Sequence, residues 1–197
     1  MFNDRYGLTQ AVIEGRKTMT RRMISGSPLL PADHIEEVRY FAGFIQIVAN
    51  DGETLLEFKS RYKVGEVVAV AQSYNEVVRE FTSLALVPGS TNKMFVKAEL
   101  MPHRIRITGI KCERLQDISD AECMKEGVVG GIIGYYVPGI KCKDWSKESY
   151  VDTEDGRTWK LFPTPREAFA SLIDKVSGRG TWKRNPWVVV YEFELVK

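Results

Sequence analysis

Eight consecutive residues, Gly15-Arg16-Lys17-Thr18-Met19-Thr20-Arg21-Arg22, gather four cations, two hydroxyls and a glycine in a stretch without an acid. Ammonium and guanidinium groups donate to phosphate or carboxylate, and hydroxyls both donate and accept, so such a set can cradle an anion or a base edge. The same residues also suit a basic surface strand, because threonine is a good β-former. A second basic stretch comprises Lys97, His103, Arg104, Arg106 and Lys111.

Several other chemistries find no support. The only histidines are His34 and His103, and Cys112, Cys123 and Cys142 form no CxxC pair, so neither a metal site nor a disulfide framework is expected. No cofactor is implied either, since the glycine-rich loops of dinucleotide and triphosphate sites are missing. Cys123 has no histidine near it in sequence to activate it and reads as a small buried side chain, while His103, following Met101-Pro102, reads as a surface or capping residue. With 28 basic and 26 acidic residues the formal charge is +2, too small to require a long nucleic-acid duplex as partner. The opening MFNDRYGLTQ has no apolar signal core, and no run approaches the roughly 20 apolar residues of a spanning helix. The expectation is a soluble protein of the reducing cytoplasm with no membrane partner.

The elements that must position the basic stretch can be read on either side of it. Leu8, Ala11 and Val12 stand at helical spacing and Gly15 follows, predicting a short helix within 5–14. Residues 17–23 then read as strand or extended loop, and 24–36 as a loop broken by two prolines. Val38–Val48 and Thr54–Phe58, joined by Asn50-Asp51-Gly52, predict a β-hairpin. A turn at 63–66 feeds a predicted buried strand from Val67 to Tyr74, and another strand is expected at 93–99. Arg104-Ile105-Arg106-Ile107-Thr108 alternates as a half-buried strand does. Ser119-Asp120-Ala121-Glu122 has the capping-box pattern, predicting a helix over 120–126 that Gly127 stops. Thr164-Pro165-Arg166-Glu167 repeats the signal ahead of the stripe Phe169, Leu172, Ile173, Val176. Trp187–Val196 reads as a closing strand, and 129–158 as a long insertion without periodicity. Many strands with few helices favour a curled mixed sheet of α+β class over a doubly wound one.

Gly15, Lys17, Thr20 and Arg22 satisfy G-x-K-x-x-T-x-R, a pattern that resembles the signature of the ASCH domain family. Gly65-Glu66 before an apolar strand, Glu113-Arg114-Leu115-Gln116-Asp117-Ile118 leading into a helix ending Glu126-Gly127, and Trp187–Phe193 follow in the family's order. The resemblance spans about two thirds of the chain and treats 1–197 as one domain with additions at 24–60 and 129–158. Longer members of this type are similar to phage and prophage proteins.

What the resemblance implies is a PUA-like small mixed β-barrel with flanking helices and a cleft for RNA or a modified nucleoside. In some members it also implies an amidohydrolase acting on N4-acetylcytidine, whose lysine, threonine and glutamate match Lys17, Thr20 and Glu126. Gly15, Arg21, Arg22, Gln72 and Tyr74 are the accompanying binding candidates. A threonine hydroxyl needs a neighbour to take its proton; desolvation suits Lys17 for that task, whereas an ionised Glu126 beside it opposes the change. Glu126 would orient the substrate amine or protonate it on departure. Residues three apart on a regular strand face opposite sides, so a site shared by Lys17 and Thr20 requires an irregularity at 17–19. Two other readings remain: a non-catalytic interaction module whose protein partner meets 129–158, and a ribonuclease.

Overall fold

The computed structural model describes residues 2–24, 35–81, 93 and 96–196. Among these residues the architecture is α+β, with three sheets in which every strand pairing is antiparallel. The parallel pairings of a mixed sheet are therefore not found here, and none of the three sheets closes on itself.

The largest sheet has the order β1 (Met19–Met23), β11 (Trp187–Val196), β6 (Arg104–Arg114), β5 (Val67–Ala69). Strand β11 explains the unbroken apolar run near the end of the sequence, because both of its faces are covered. Val188 and Val190 enter one hydrophobic cluster with Leu115, Cys123, Phe169 and Leu172. Val189, Tyr191 and Phe193 enter a second cluster with Val12, Ile45, Ile47, Ile105 and Ile107. Each such side chain is worth roughly 1.5–3 kcal/mol on full burial, so this central strand ties both cores together. The expected alternation on β6 is present, with Ile105 and Ile107 inside and Arg104, Arg106 and Thr108 outside.

In chain order, β1 and β5 are separated by a three-stranded sheet, β2 (Ile35–Phe41), β3 (Phe44–Ala49) and β4 (Thr54–Lys59). The apolar stretch expected as one strand of a hairpin is thus two strands, split at Ala42-Gly43, where both residues take positive φ (51° and 93°). That pair of left-handed residues forms the tight reversal that two-residue hairpin loops favour. The expected buried strand from Val67 to Tyr74 stops at Ala69, because Ser73 exchanges hydrogen bonds with Glu76 and starts helix α2 (Tyr74–Phe81). At 93–99 the described residues instead include a 3-10 turn, Ala98–Leu100. Of the loop expected at 24–36, residues 25–34 lie outside the described residues, and Ile35 already belongs to β2.

Residues 129–158, which show no periodicity in the sequence, contain regular structure. With the residues that follow they build the third sheet: β7 (Val129–Gly131), β8 (Gly134–Tyr136), β10 (Thr158–Phe162) and β9 (Tyr150–Asp152), in that spatial order. Three of these strands have three residues each, too few to show a period.

The helices follow their capping signals. Helix α1 (Leu8–Ile13) follows a 3-10 turn at Asp4–Tyr6. Helix α3 (Asp120–Lys125) carries the complete Ser119/Glu122 capping box, and Thr164 caps α4 (Pro165–Val176) by accepting from Glu167 N–H. A single turn, α5 (Thr181–Arg184), leads into β11. No described helix is long and apolar enough to cross a membrane.

Candidate functional site

Strand β1 is an edge strand, and its two faces look onto different surroundings. Met19, Arg21 and Met23 point to the side covered by α3 and α4, whereas Thr20 and Arg22 stand on the face shared with Tyr191 and Val189. Lys17 and Thr18 precede the strand: Lys17 N–H donates to Ala11 O, Thr18 N–H donates to Lys125 O, and Thr18 O accepts from Phe193 N–H, one step beyond the Met19–Glu192 pair. Lys17 keeps the side of Met19 and Arg21, as regular alternation gives, so the irregularity expected at 17–19 is not found and Thr20 stands on the opposite face of β1.

Lys17 is 2% exposed, and its ammonium donates to Met19 O (2.7 Å), Glu126 O (2.8 Å) and Glu126 Oε2 (2.5 Å). Three acceptors match the three protons of an ammonium group. Burial lowers the Lys17 pKa, and the adjoining Glu126 carboxylate opposes that shift. Glu126 reaches this position because it caps the C-terminal end of α3, four residues after Glu122, so both carboxylates leave the helix on one side. Gly127 then takes φ +107°, and a Cβ there would meet Leu8 Cδ2 at 2.9 Å. Only glycine lets the chain leave the helix at this point without displacing Leu8 or straining the backbone.

Arg21 completes the arrangement. Its fully buried guanidinium donates to Glu126 Oε1 (3.1 Å), Glu113 Oε1 (2.6 Å) and Glu122 Oε2 (3.1 Å). Burial opposes its charge, but the three carboxylates outweigh that penalty and raise its pKa. Lys111 joins the outer end, 2.7 Å from both Glu113 Oε2 and Glu122 Oε1. Burial alone would raise the Glu122 pKa; the bonds from Lys111 and Ser119, with the charge of Arg21, bring it down to about 2. The result is a chain, Lys17–Glu126–Arg21–Glu113/Glu122–Lys111, in which three cations balance three anions. A charge-neutral chain meets the need for pairing that burial imposes.

Beside the chain lies a cavity of about 740 Å³, lined by Thr20, Arg21, Arg22 and Glu126 together with the α4 side chains Phe169, Leu172 and Ile173 and the N-terminal segment around Phe2. Lys17 lies behind Glu126 and is not among the lining residues. The structure thus joins Lys17 to Glu126 directly and brings Thr20 to the same cavity as Glu126. No hydrogen bond links Thr20 to either partner among the described residues.

The other expected binding residues are distributed differently. Arg21 and Arg22 both line the cavity, but Arg21 spends its donors on carboxylates. Gly15 sits exposed in the turn after α1. Gln72 is buried and paired with His103 Nδ1 at 2.9 Å, and Tyr74 packs beside Val77, Val96 and Met101; none of these three residues lines the cavity. His103 thus has a specific partner in addition to its place at a strand start. Cys123 is wholly buried, and that burial pushes its thiol up to about 12, leaving it inert. The roles of Glu113, Glu122 and Lys111 were not anticipated. The four-residue spacing of Glu122 and Glu126 on a capped helix, with Lys111 and Glu113 on one face of β6, was the signal that could have found them.

The chain matches no family model, no curated protein and no solved structure. Its function must therefore be argued from the geometry and from the motif on β1.

Proposed function

We propose that this is an ASCH-type, PUA-like protein that binds a modified nucleoside beside the Lys17–Glu126 pair and hydrolyses an N4-acyl group from its cytosine. One observation carries the reading: a buried, hydrogen-bonded lysine–glutamate pair whose Glu126 lines the same cavity as Thr20. The neutral ion chain favours a nucleoside over RNA, because its buried cations are already matched by carboxylates rather than held for phosphates.

In this reading, a proton passes from the Lys17 ammonium to Glu126 along their 2.5 Å contact as a ligand completes the exclusion of water. The neutral amine then accepts the Thr20 hydroxyl proton while Thr20 Oγ1 attacks the acyl carbon. The C–N bond breaks, and the Glu126 carboxylic acid gives its proton to the departing N4 amine. Water finally cleaves the acyl-threonine ester, releasing the carboxylic acid and restoring the hydroxyl. A binding-only reading is favoured by a different observation, the engagement of all three Lys17 protons by acceptors.

Incubation with N4-acetylcytidine, followed by chromatography for cytidine, separates the two. Hydrolysis by the wild type that Thr20→Ala and Glu126→Gln lack is the expected result. Tight nucleoside binding with no product above the Thr20→Ala background leaves binding alone. The interaction-module reading would place its partner at the β7–β8 tip, where Ile132 is fully exposed and Ile133 is 72% exposed. Replacing both with serine would then abolish partner capture while leaving nucleoside binding intact.

A further inference from the structure

A second, enclosed void of about 40 Å³ lies on the other face of β1, among Tyr62, Val68, Ile105, Tyr191 and Phe193. It shares three lining residues with the large cavity: Phe2, Thr20 and Arg22. Thr20 and Arg22 belong to the strand, but Phe2 lies outside any regular element. Its ring packs against both hydrophobic clusters, tilted at 5.7 Å from Phe193, with Lys17 Nζ at 5.9 Å from its centroid. Phe2 therefore stands where the buried amine, the Thr20 hydroxyl and the inner aromatic side chains converge.

We propose that the two spaces are halves of one ligand site and that the Phe2 ring occupies a slot for a neutral planar aromatic ring, which enters when Phe2 turns aside. The inner void is too small for such a ring by itself. Adding the volume of the Phe2 ring changes that, since an apolar cavity of roughly 150 Å³ takes up benzene. The walls suit a flat ring: Tyr62 and Tyr191 meet edge to face with centroids 5.2 Å apart, and Thr20 and Arg22 supply polar groups at the rim. Displacing Phe2 also uncovers Lys17, which otherwise has no opening onto the large cavity. The slot deepens the nucleoside reading by assigning the base its place, yet ring binding requires no acyl transfer.

The test uses indole, a neutral planar probe without ribose or phosphate, titrated against the full chain by NMR. Phe2→Ala is expected to bind indole at least tenfold more tightly than the wild type, with shifts at Tyr62 and Tyr191. Phe2→Trp is expected to bind it more weakly. Indole binding by Phe2→Ala no tighter than by the wild type, or shifts confined to the third sheet, would overturn the proposal. Should Phe2→Ala fail to fold, the wild type decides: loss of the Phe2–Phe193 ring contact at saturating indole supports the slot, and its persistence, or no binding at all, overturns it. Enhanced indole binding in Phe2→Ala without any hydrolysis of N4-acetylcytidine by the wild type leaves the slot standing and removes the enzymatic reading.

Discussion

The two faces of β1 each carry one arginine and put it to different uses. On the α3 side, the Arg21 guanidinium is fully enclosed and spends its donors on three carboxylates, with Lys17 filling the remaining oxygen of Glu126. On the other side, Thr20 and Arg22 are half-buried and border both the large cavity and the inner void, among aromatic rings. Arg21 is thus fixed in the frame even where it reaches the large cavity, whereas Arg22 lines both spaces. The difference follows from desolvation, since an enclosed charge must be matched in place, whereas a half-buried one keeps its contact with solvent and ligand.

The contrast breaks most sharply at Arg21. Arg21→Ala leaves the carboxylates of Glu113, Glu122 and Glu126 facing one another without their common cation, and urea unfolding should show a loss of about 3–5 kcal/mol, the cost of breaking a buried pair from one side. A loss no larger than that from an exposed arginine would show that the frame carries no weight.

Acid titration sharpens the comparison at the next level. Glu122 has its folded pKa depressed to about 2 from an ordinary 4.5, so its contribution is present above pH 4.5 and is lost as pH falls toward 2, where the unfolded chain binds the proton first. Stability followed through that window should fall less steeply for Glu122→Gln than for the wild type. Identical slopes would remove Glu122 from the frame.

The smallest effect belongs to the lining face. Thr20→Ala removes a half-buried hydroxyl that makes no hydrogen bond to the Lys17–Glu126 pair, and its unfolding free energy should stay within about 1 kcal/mol of the wild type. A larger loss would make Thr20 part of the frame.

Much of this organisation was legible beforehand where local chemistry sets the structure. The capping groups Ser119/Glu122 and Thr164/Glu167 start their helices as expected, and the isoleucines of β6 face inward. Legibility ended where a tertiary contact decides. Ala42 carries no turn signal of its own and reverses the chain only with Gly43 beside it. Ser73 belongs to an apolar run but serves as a cap once Glu76 answers it. Short glycine-containing strands between 129 and 158 acquire their meaning from pairing, not from a repeat. At the site, the lysine and glutamate meet as the motif implied, while the division of labour between Arg21 and Arg22 depends on strand parity, which only the start of β1 at Met19 reveals.

The most direct measurement follows the arginine side-chain Nε–H and threonine backbone signals by NMR while cytidine is added. If β1 has one framing face and one lining face, Thr20, Arg22 and the Phe2 ring shift on saturation while the Arg21 Nε–H stays in place. Movement of Arg21 with Thr20 and Arg22 unperturbed would contradict the assignment of the two faces.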